Sequence, residues 1–331
     1  MDIAYFVGKE NVICRDSLET VLKALKEKNQ EVSKWKGEKA ELLLVFGGDG
    51  ALLQALQKMG DSPIPVLGVN CGELGFMMEV NHTNFRKFVP PLLKGEYKIE
   101  KRDRLQINRK EEKIFALNEV VVTPKEAATL MRYTLKIDGE KMWRDSADSI
   151  VVSTPTGSTA YALSAGGPII APKAQVFQIV PNNSVNHSRR PLILPAEAKA
   201  EIDIVDCPVD CELILDGKKK KKCGNKVNVS MSDKPALFVR MLPSYSALSS
   251  KIKKKVDVFD NHSIRGESPS SKFILKTIEF EGPLTQKEII AATQLPARTV
   301  RRNLENLIKK NVVVKKPFLE DPRQSLYVIA N

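Results

Sequence analysis

The spacing of apolar positions changes twice along the 331-residue chain, and each stretch predicts a different kind of structure. In residues 1–95 apolar runs alternate with helical stripes. IAYFV reads as a strand, and Ser17–Lys28 sets Leu18, Val21, Leu22 and Leu25 along one helical face. LLLVF is continuously apolar, the pattern of a parallel strand covered on both faces. ALLQALQKM predicts a helix, IPVLGVN a strand, and Thr83–Leu93 a helix ending near Lys94-Gly95. Residues 96–240 instead carry short strand-like runs: RLQINR, IFALNEVVVT, TLMRYTLKI, SIVVST, AEIDIV, CELIL and KVNVSM. The Asp-Gly pairs in KIDGEK and LILDGK predict hairpin turns.

The expected fold is therefore an α/β N-terminal domain over residues 1–95, with 241–255 returning to it, and a mostly antiparallel β domain over 96–240. Residues 256–269 (VDVFDNHSIRGESP) read as a linker. Residues 270–331 form a C-terminal α+β unit. SKFILKTIEF predicts one helix. LTQKEIIAATQL predicts a second, with Thr285 and Glu288 at capping-box spacing. ARTVRRNLENLIKK predicts a third, and VVVKKPFLEDPRQSLYVI a two-stranded ribbon.

Composition narrows the possible classes. A hydrophobic content of 42% supplies real cores. No apolar run approaches the ~20 residues of a membrane-spanning helix. The start, MDIAYFVGKENVICRDS, lacks the pattern of a signal peptide, so a cytoplasmic protein without membrane partners is expected. Five scattered cysteines do not suggest a disulfide framework. The pair in CPVDC has no second half with ligand spacing, so no protein metal site is expected. The net charge of +12 favours polyanionic partners, although the runs Lys218–Lys222 and Lys251–Lys255 read first as solvated surface.

Four constellations carry candidate chemistry. Gly47-Gly48-Asp49-Gly50 lies between a strand and a helix, where glycines let backbone N–H groups approach phosphate oxygens. Asp49 there is either a helix cap or a reactive carboxylate. Asn118-Glu119 interrupts an apolar strand with two polar side chains. Asp148 stands just before SIVVS. The segment STPTGSTAYALSAGGP, residues 153–168, interleaves hydroxyl side chains with Gly157, Gly166 and Gly167. It offers donors and acceptors to a ligand with ribose and phosphate groups.

In this order, GGDG, GVNCGELGF, NEVVV, ADSIVVSTPTGSTAYALSAGGPI and LILDG resemble the NAD kinase family over roughly residues 40–250. The closing VRMLPSYSALSSKIKKK is similar to the family's last segment. The resemblance implies transfer of a phosphoryl group from ATP, or polyphosphate, to the adenosine-ribose 2′-hydroxyl of NAD, giving NADP. It implies Asp49 as the base and Gly47, Gly48 and Gly50 as its nucleotide-binding neighbours. Asn118, Glu119, Asp148, Thr159, Ala160, Tyr161 and Ser164 would bind NAD. It implies Mg²⁺ or another divalent cation carried by the nucleotide, and a homodimer or homotetramer. The chain departs from the family pattern in several places. Ala51 stands where Thr or Ser is usual, Gln54 where Arg is common, Ser146 where a basic residue is frequent, and Lys218 where Gln is frequent. The His expected before the RPL segment is missing, His187 being too close to Arg190-Pro191.

Residues 270–331 resemble the winged helix-turn-helix domains of transcription regulators. Val300, Leu304, Leu307 and Ile308 make the core stripe of the third helix. Arg298, Arg301, Arg302 and Lys309 are the candidate DNA contacts, with Glu305 on the same side. Two functions follow: an NAD kinase with an appended domain, or a non-catalytic NAD(P)-sensing, DNA-binding regulator. The carboxylate of Asp49 favours the first, because a sensor needs no base.

Overall fold

The computed structural model describes residues 1–8, 12–71, 77–109, 112–241, 268–281, 283–293, 295–310, 312–317 and 325–329. Two compact units are resolved, Met1–Leu242 and Pro243–Asn331. The first carries strands β1 (Ile3–Val7), β2 (Val32–Lys34), β3 (Leu42–Gly47), β4 (Val66–Asn70), β5 (Val80–Asn81), β6 (Lys98–Arg102), β7 (Leu105–Arg109), β8 (Glu112–Ala116), β9 (Glu119–Pro124) and β10 (Met131–Ile137). It continues with β11 (Glu140–Ala147), β12 (Ser149–Ser153), β13 (Val176–Asn182), β14 (Leu192–Pro195), β15 (Lys199–Asp206), β16 (Cys211–Leu215), β17 (Lys219–Lys222), β18 (Lys226–Met231) and β19 (Ala236–Arg240). Its helices are α1 (Val12–Lys26), α2 (Asp49–Met59), α3 (Val89–Leu93) and α4 (Tyr161–Ser164).

One sheet has the order β2-β1-β3-β4-β19-β6, with β5 beside β4. The strands from β1 to β4 pair in parallel. Every residue of β3 is buried. Leu43 and Val45 enter one core, with α2, while Leu42, Leu44 and Phe46 enter another, with α1. A strand covered on both faces has no polar side to alternate with, which explains its unbroken apolar run.

Two further sheets, β11-β10-β15-β18-β7-β8 and β14-β13-β12-β9-β16-β17, share a single core that includes Tyr133, Ile150, Val152, Phe177 and Leu213. Strands in both alternate between that core and the outer faces, as in a sandwich. The Asp-Gly turns close hairpins as read. Asp138 and Gly139 take φ of 51° and 88° between β10 and β11, and Asp216 and Gly217 take 50° and 68° between β16 and β17. Positive φ at two successive residues suits Asp-Gly.

The boundaries differ from the expectation in one respect. β6 and β19, which fall inside the stretch read as the β domain, pair with each other and complete the α/β sheet. Phe238 packs into one core of that sheet and Val239 into the other. The short run ALFVR of β19 can report that a strand forms but carries no information on its partner, and the charged KIEKR of β6 reports neither. Lys219–Lys222 is likewise an edge strand, not a loop, and its lysines oppose edge-to-edge pairing. The segment 242–255, expected to return to the first domain, the run Lys251–Lys255 within it, and most of the linker lie outside the described residues.

The second unit contains α5 (Pro269–Glu281), β20 (Leu284–Thr285), α6 (Gln286–Thr293), α7 (Ala297–Lys309), β21 (Val313–Pro317) and β22 (Ser325–Ile329), with sheet order β20-β22-β21. Its core gathers Ile274, Ile278, Ile289, Val300, Leu304, Leu307 and Tyr327. The capping box at the start of α6 is present. Thr285 N–H donates to Glu288 Oε2 at 2.7 Å, and Glu288 N–H donates to Thr285 Oγ1 at 3.3 Å. Among the described residues no helix is long and apolar enough to cross a membrane.

Candidate active site

The glycine turn sits at the C-terminal end of β3, where ligands bind in open α/β sheets. Gly48 is the N-cap of α2 and makes no side-chain capping bond. Asp49 is the first helical residue, so the cap reading of its carboxylate does not hold. Oδ1 instead accepts the backbone N–H of Met77 at 2.9 Å, which aims the side chain, and Asp49 remains half-buried. The start of a helix favours negative charge at this position.

Close packing explains two glycines and one departure. A Cβ at Gly47, whose φ is 140°, would lie 2.6 Å from Ala51 Cβ, and one at Gly8 would lie 2.3 Å from it. Ala51 is thus pressed inward between the ends of β1 and β3. Its difference from the family pattern changes packing and leaves the charge around Asp49 as it was.

Asn118 and Glu119 are held by a residue that the sequence reading used only as a turn. Asp216 is buried at 4% exposure. Its Oδ1 accepts the Asn118 N–H at 2.7 Å, and its Oδ2 accepts the Leu117 N–H at 3.2 Å and Gln57 Nε2 at 2.8 Å. Its own N–H donates to the Glu119 carbonyl at 3.0 Å. Gln57 lies on α2, two turns beyond Asp49, and also donates to the Phe115 carbonyl at 2.8 Å. Asp216 therefore ties α2, the entry to β9 and the β16–β17 hairpin together. Burial pushes its carboxyl above the usual range, and the bonds from Gln57 and the backbone oppose that shift. The signal available in sequence was the Asp-Gly pair itself, which reported the hairpin and not the acceptor.

The hydroxyl-rich segment folds directly onto Asn118. Thr154 N–H donates to the Asn118 carbonyl at 2.9 Å, and Thr154 Oγ1 donates to the Leu117 carbonyl at 2.6 Å. A Cβ at Gly157 would fall 2.1 Å from the Asn118 carbonyl oxygen, so only glycine permits this approach. Ser158 is buried and binds within the loop, donating to the Pro155 carbonyl and accepting the Ile170 N–H. Thr154 and Ser158 are framework. Thr159 and Ala160 are half-buried, while Tyr161 and Ser164 are exposed, so these four form the accessible rim. Below them, β-sheet register sets Ser153 opposite Glu119 on one side and Gln178 on the other, a buried polar row.

Asp148 is not brought into this cluster. It precedes β12, whereas Thr154 follows it, and six residues of extended chain separate them by roughly 20 Å. Its Oδ2 accepts Asn183 Nδ2 at 2.9 Å. Ser146 lies on β11 and donates its N–H to Asp145 Oδ1, and His187 is exposed. Most of GVNCGELGF, residues 72–76, lies outside the described residues. Four of the five cysteines are buried, and among the described residues no three His, Cys, Asp or Glu side chains converge as metal ligands.

Comparison with known proteins bears on the same residues. A family model described as the ATP-NAD kinase N-terminal domain matches residues 9–97, and one described as the ATP-NAD kinase C-terminal domain matches 117–241. The chain is 36% identical over 210 residues to the NAD kinase of Methanopyrus kandleri, covering 63% of this chain and 76% of that one. It is 33% identical over 229 residues to the NAD kinase of Methanothermobacter thermautotrophicus, covering 69% and 80%. In fold it is similar to an NAD kinase from Archaeoglobus fulgidus in complex with ATP, with TM-score 0.67, 24% identity, and coverage of 76% of this chain and 99% of that one. It is also similar in fold to yeast NADH kinase complexed with NADH, with TM-score 0.69, 22% identity, and coverage of 77% and 86%. Residues 270–331 lie beyond both family models.

Proposed function

The chain belongs to the NAD kinase family, and on that premise we propose how its own residues carry the reaction. The reaction is phosphorylation of NAD, with ATP and NAD as substrates. In our reading Asp49 accepts the proton of the adenosine-ribose 2′-hydroxyl as that oxygen attacks the terminal phosphorus. The new O–P bond forms as the bond to the leaving phosphate breaks, giving NADP. A ribose hydroxyl is a weak nucleophile until its proton has an acceptor, and the rest of phosphoryl transfer is positioning and charge neutralisation.

What supports this reading is the bridge made by Asp216. It fixes the helix that begins at Asp49 against Asn118-Glu119 and, through them, the loop at 154–164. In this reading Asn118, Glu119, Thr159, Ala160, Tyr161 and Ser164 bind NAD, and Gly47, Gly48 and Gly50 keep side chains away from the transferring phosphate. A divalent cation would be carried on donor phosphate oxygens, where it would supply charge neutralisation. The test is direct: purified chain with ATP, Mg²⁺ and NAD should accumulate NADP, and tight NADP binding with no turnover on any phosphoryl donor would favour the sensor instead.

A homodimer or homotetramer is part of this proposal, because Asp148 at the far end of β12 can join an NAD site only if a second copy supplies it. Sedimentation of the purified chain should give a dimer or larger species, and a monomer at assay concentrations removes Asp148 from the site.

A second activity is proposed for the C-terminal unit, as a winged helix-turn-helix that binds DNA. On α7, Val300, Leu304 and Leu307 are buried while Arg298, Arg301, Arg302 and Lys309 are exposed. Their offsets of three, four and eleven residues from Arg298 keep them on one face. Replacing Arg298, Arg301 and Arg302 together by Ala is expected to weaken binding to duplex DNA and to flatten the log K against log salt slope by about 3. Fluorescence anisotropy across a salt series reads both, and salt-independent affinity would point to protein docking.

A further inference from the structure

A lysine from the β16–β17 hairpin reaches the glycine turn that follows β3. Lys218 completes the turn between β16 and β17, its N–H donating to the Leu215 carbonyl at 3.0 Å. Its Nζ stands 3.4 Å from the Gly50 carbonyl oxygen, and a Cβ at Gly50 would meet that Nζ at 2.5 Å. The ammonium therefore lies over the first turn of α2, one residue from Asp49. Beside it opens a cleft of about 430 Å³, whose walls include Leu53, Gln54 and Lys58 on α2 and Leu215, Lys218 and Lys219 on the hairpin. That volume is in the range of small-molecule sites. Asp216 is the acidic group lining the cleft, and its carboxylate is already engaged by Gln57 and two backbone N–H groups.

The charges in this cleft select for a polyanion. Lys218 and Lys219 outnumber the one buried carboxylate, and Lys58, whose ammonium lies 4.8 Å from the centre of the Phe6 ring, adds a third positive charge at the cleft wall. Leu53 and Leu215 give the floor an apolar surface that strengthens ionic contacts by excluding water. The NAD-binding residues named above lie on the other side of Asp216, toward the 154–164 loop. NAD carries a pyrophosphate diester, whereas a phosphoryl donor carries a more highly charged phosphoanhydride chain.

We propose that this cleft takes the phosphoanhydride chain of the phosphoryl donor, with Lys218 holding its terminal phosphate beside Asp49. Lys218 is then a determinant of donor affinity, alongside Gln54 in the lining of the same cleft. The proposal rests on reading Asp49 as the base, because that fixes where the transferring phosphate sits.

The experiment is equilibrium binding to the full chain, by calorimetry, of tripolyphosphate, of a non-hydrolysable ATP analogue and, in parallel, of NAD. Lys218→Gln is expected to weaken both phosphate ligands about tenfold, while NAD affinity stays within about twofold. Lys218→Arg should keep donor affinity within about threefold of wild type, because it restores the charge. The double variant Lys58→Gln/Lys219→Gln should lose about as much as Lys218→Gln. Tripolyphosphate binding as tightly as the ATP analogue means the chain alone is recognised; weaker binding means the nucleoside adds contacts along Leu53 and Leu215. Equal donor affinity in wild type and Lys218→Gln overturns the proposal. So does a matching loss of NAD affinity, which would mark Lys218 as only a brace between hairpin and helix. Binding is read without turnover, so a failure of the Asp49 assignment is recognised separately, by activity.

Discussion

Asp49→Asn is expected to lower NADP formation by about 10²–10⁴-fold, the range for removal of a general base. The substitution is nearly isosteric. Asn keeps a carbonyl oxygen to accept the Met77 N–H that Asp49 Oδ1 now accepts at 2.9 Å. Gly48 is the N-cap and uses no side chain, so the helix start does not depend on the carboxylate. The variant should therefore hold the wild-type thermal transition and NAD affinity while kcat falls. NADP formation at the wild-type rate would remove Asp49 from the role of base. A loss of rate accompanied by a lowered transition would assign it a structural role instead.

The second large effect is on stability. Asp216→Ala removes the acceptor for the N–H groups of Leu117 and Asn118 and for the Gln57 amide, all at buried or half-buried positions. Each buried donor left without an acceptor costs about 1–3 kcal/mol. Loss of the carboxylate also relieves its own burial penalty, the cause that raises its pKa, so the total comes to about 3–5 kcal/mol. For a unit of this size that is a fall of about 10 °C in its calorimetric transition. Asp216→Asn should fall between Ala and wild type, since one oxygen still accepts while the new amide opposes a donor. An unchanged transition in Asp216→Ala would show that the bridge is dispensable. NAD affinity should fall in the same variants, because the entry to β9 loses its anchor.

Much of this was legible in local patterns. The strand–turn–helix at LLLVFGGDGALLQ follows from an apolar run, three glycines and a 3.6-residue period. Both Asp-Gly turns adopt the positive φ values that their sequence favours. The capping box at Thr285 and Glu288 forms across three residues of separation. In each case the partners lie within a few residues, so their geometry is set by backbone dihedrals that every chain shares.

Other features had no local signal. β19 and β6 carry no local signal of their partners: burial on both faces assigns β19 to the α/β sheet, and the largely exposed β6 joins it only by pairing with β19. Ala51 reads as a lost hydroxyl until Gly8 and Gly47 are found pressed against it. Lys218 reads as the start of a solvated charge run, yet its ammonium lies on Gly50, 168 positions away in the chain.

By itself the sequence determined which segments become strands and helices, where the chain turns, and which side chains have the chemistry for phosphoryl transfer. The tertiary structure decided which of those side chains share a site. It separated Asp148 from the loop at 154–164, and it closed the bond between Gln57 and Asp216 across 159 residues. The physical reason is range. Periodicity and turn propensity act between near neighbours, whereas a buried carboxylate finds its donors only after distant segments have packed and excluded the water that would otherwise satisfy them.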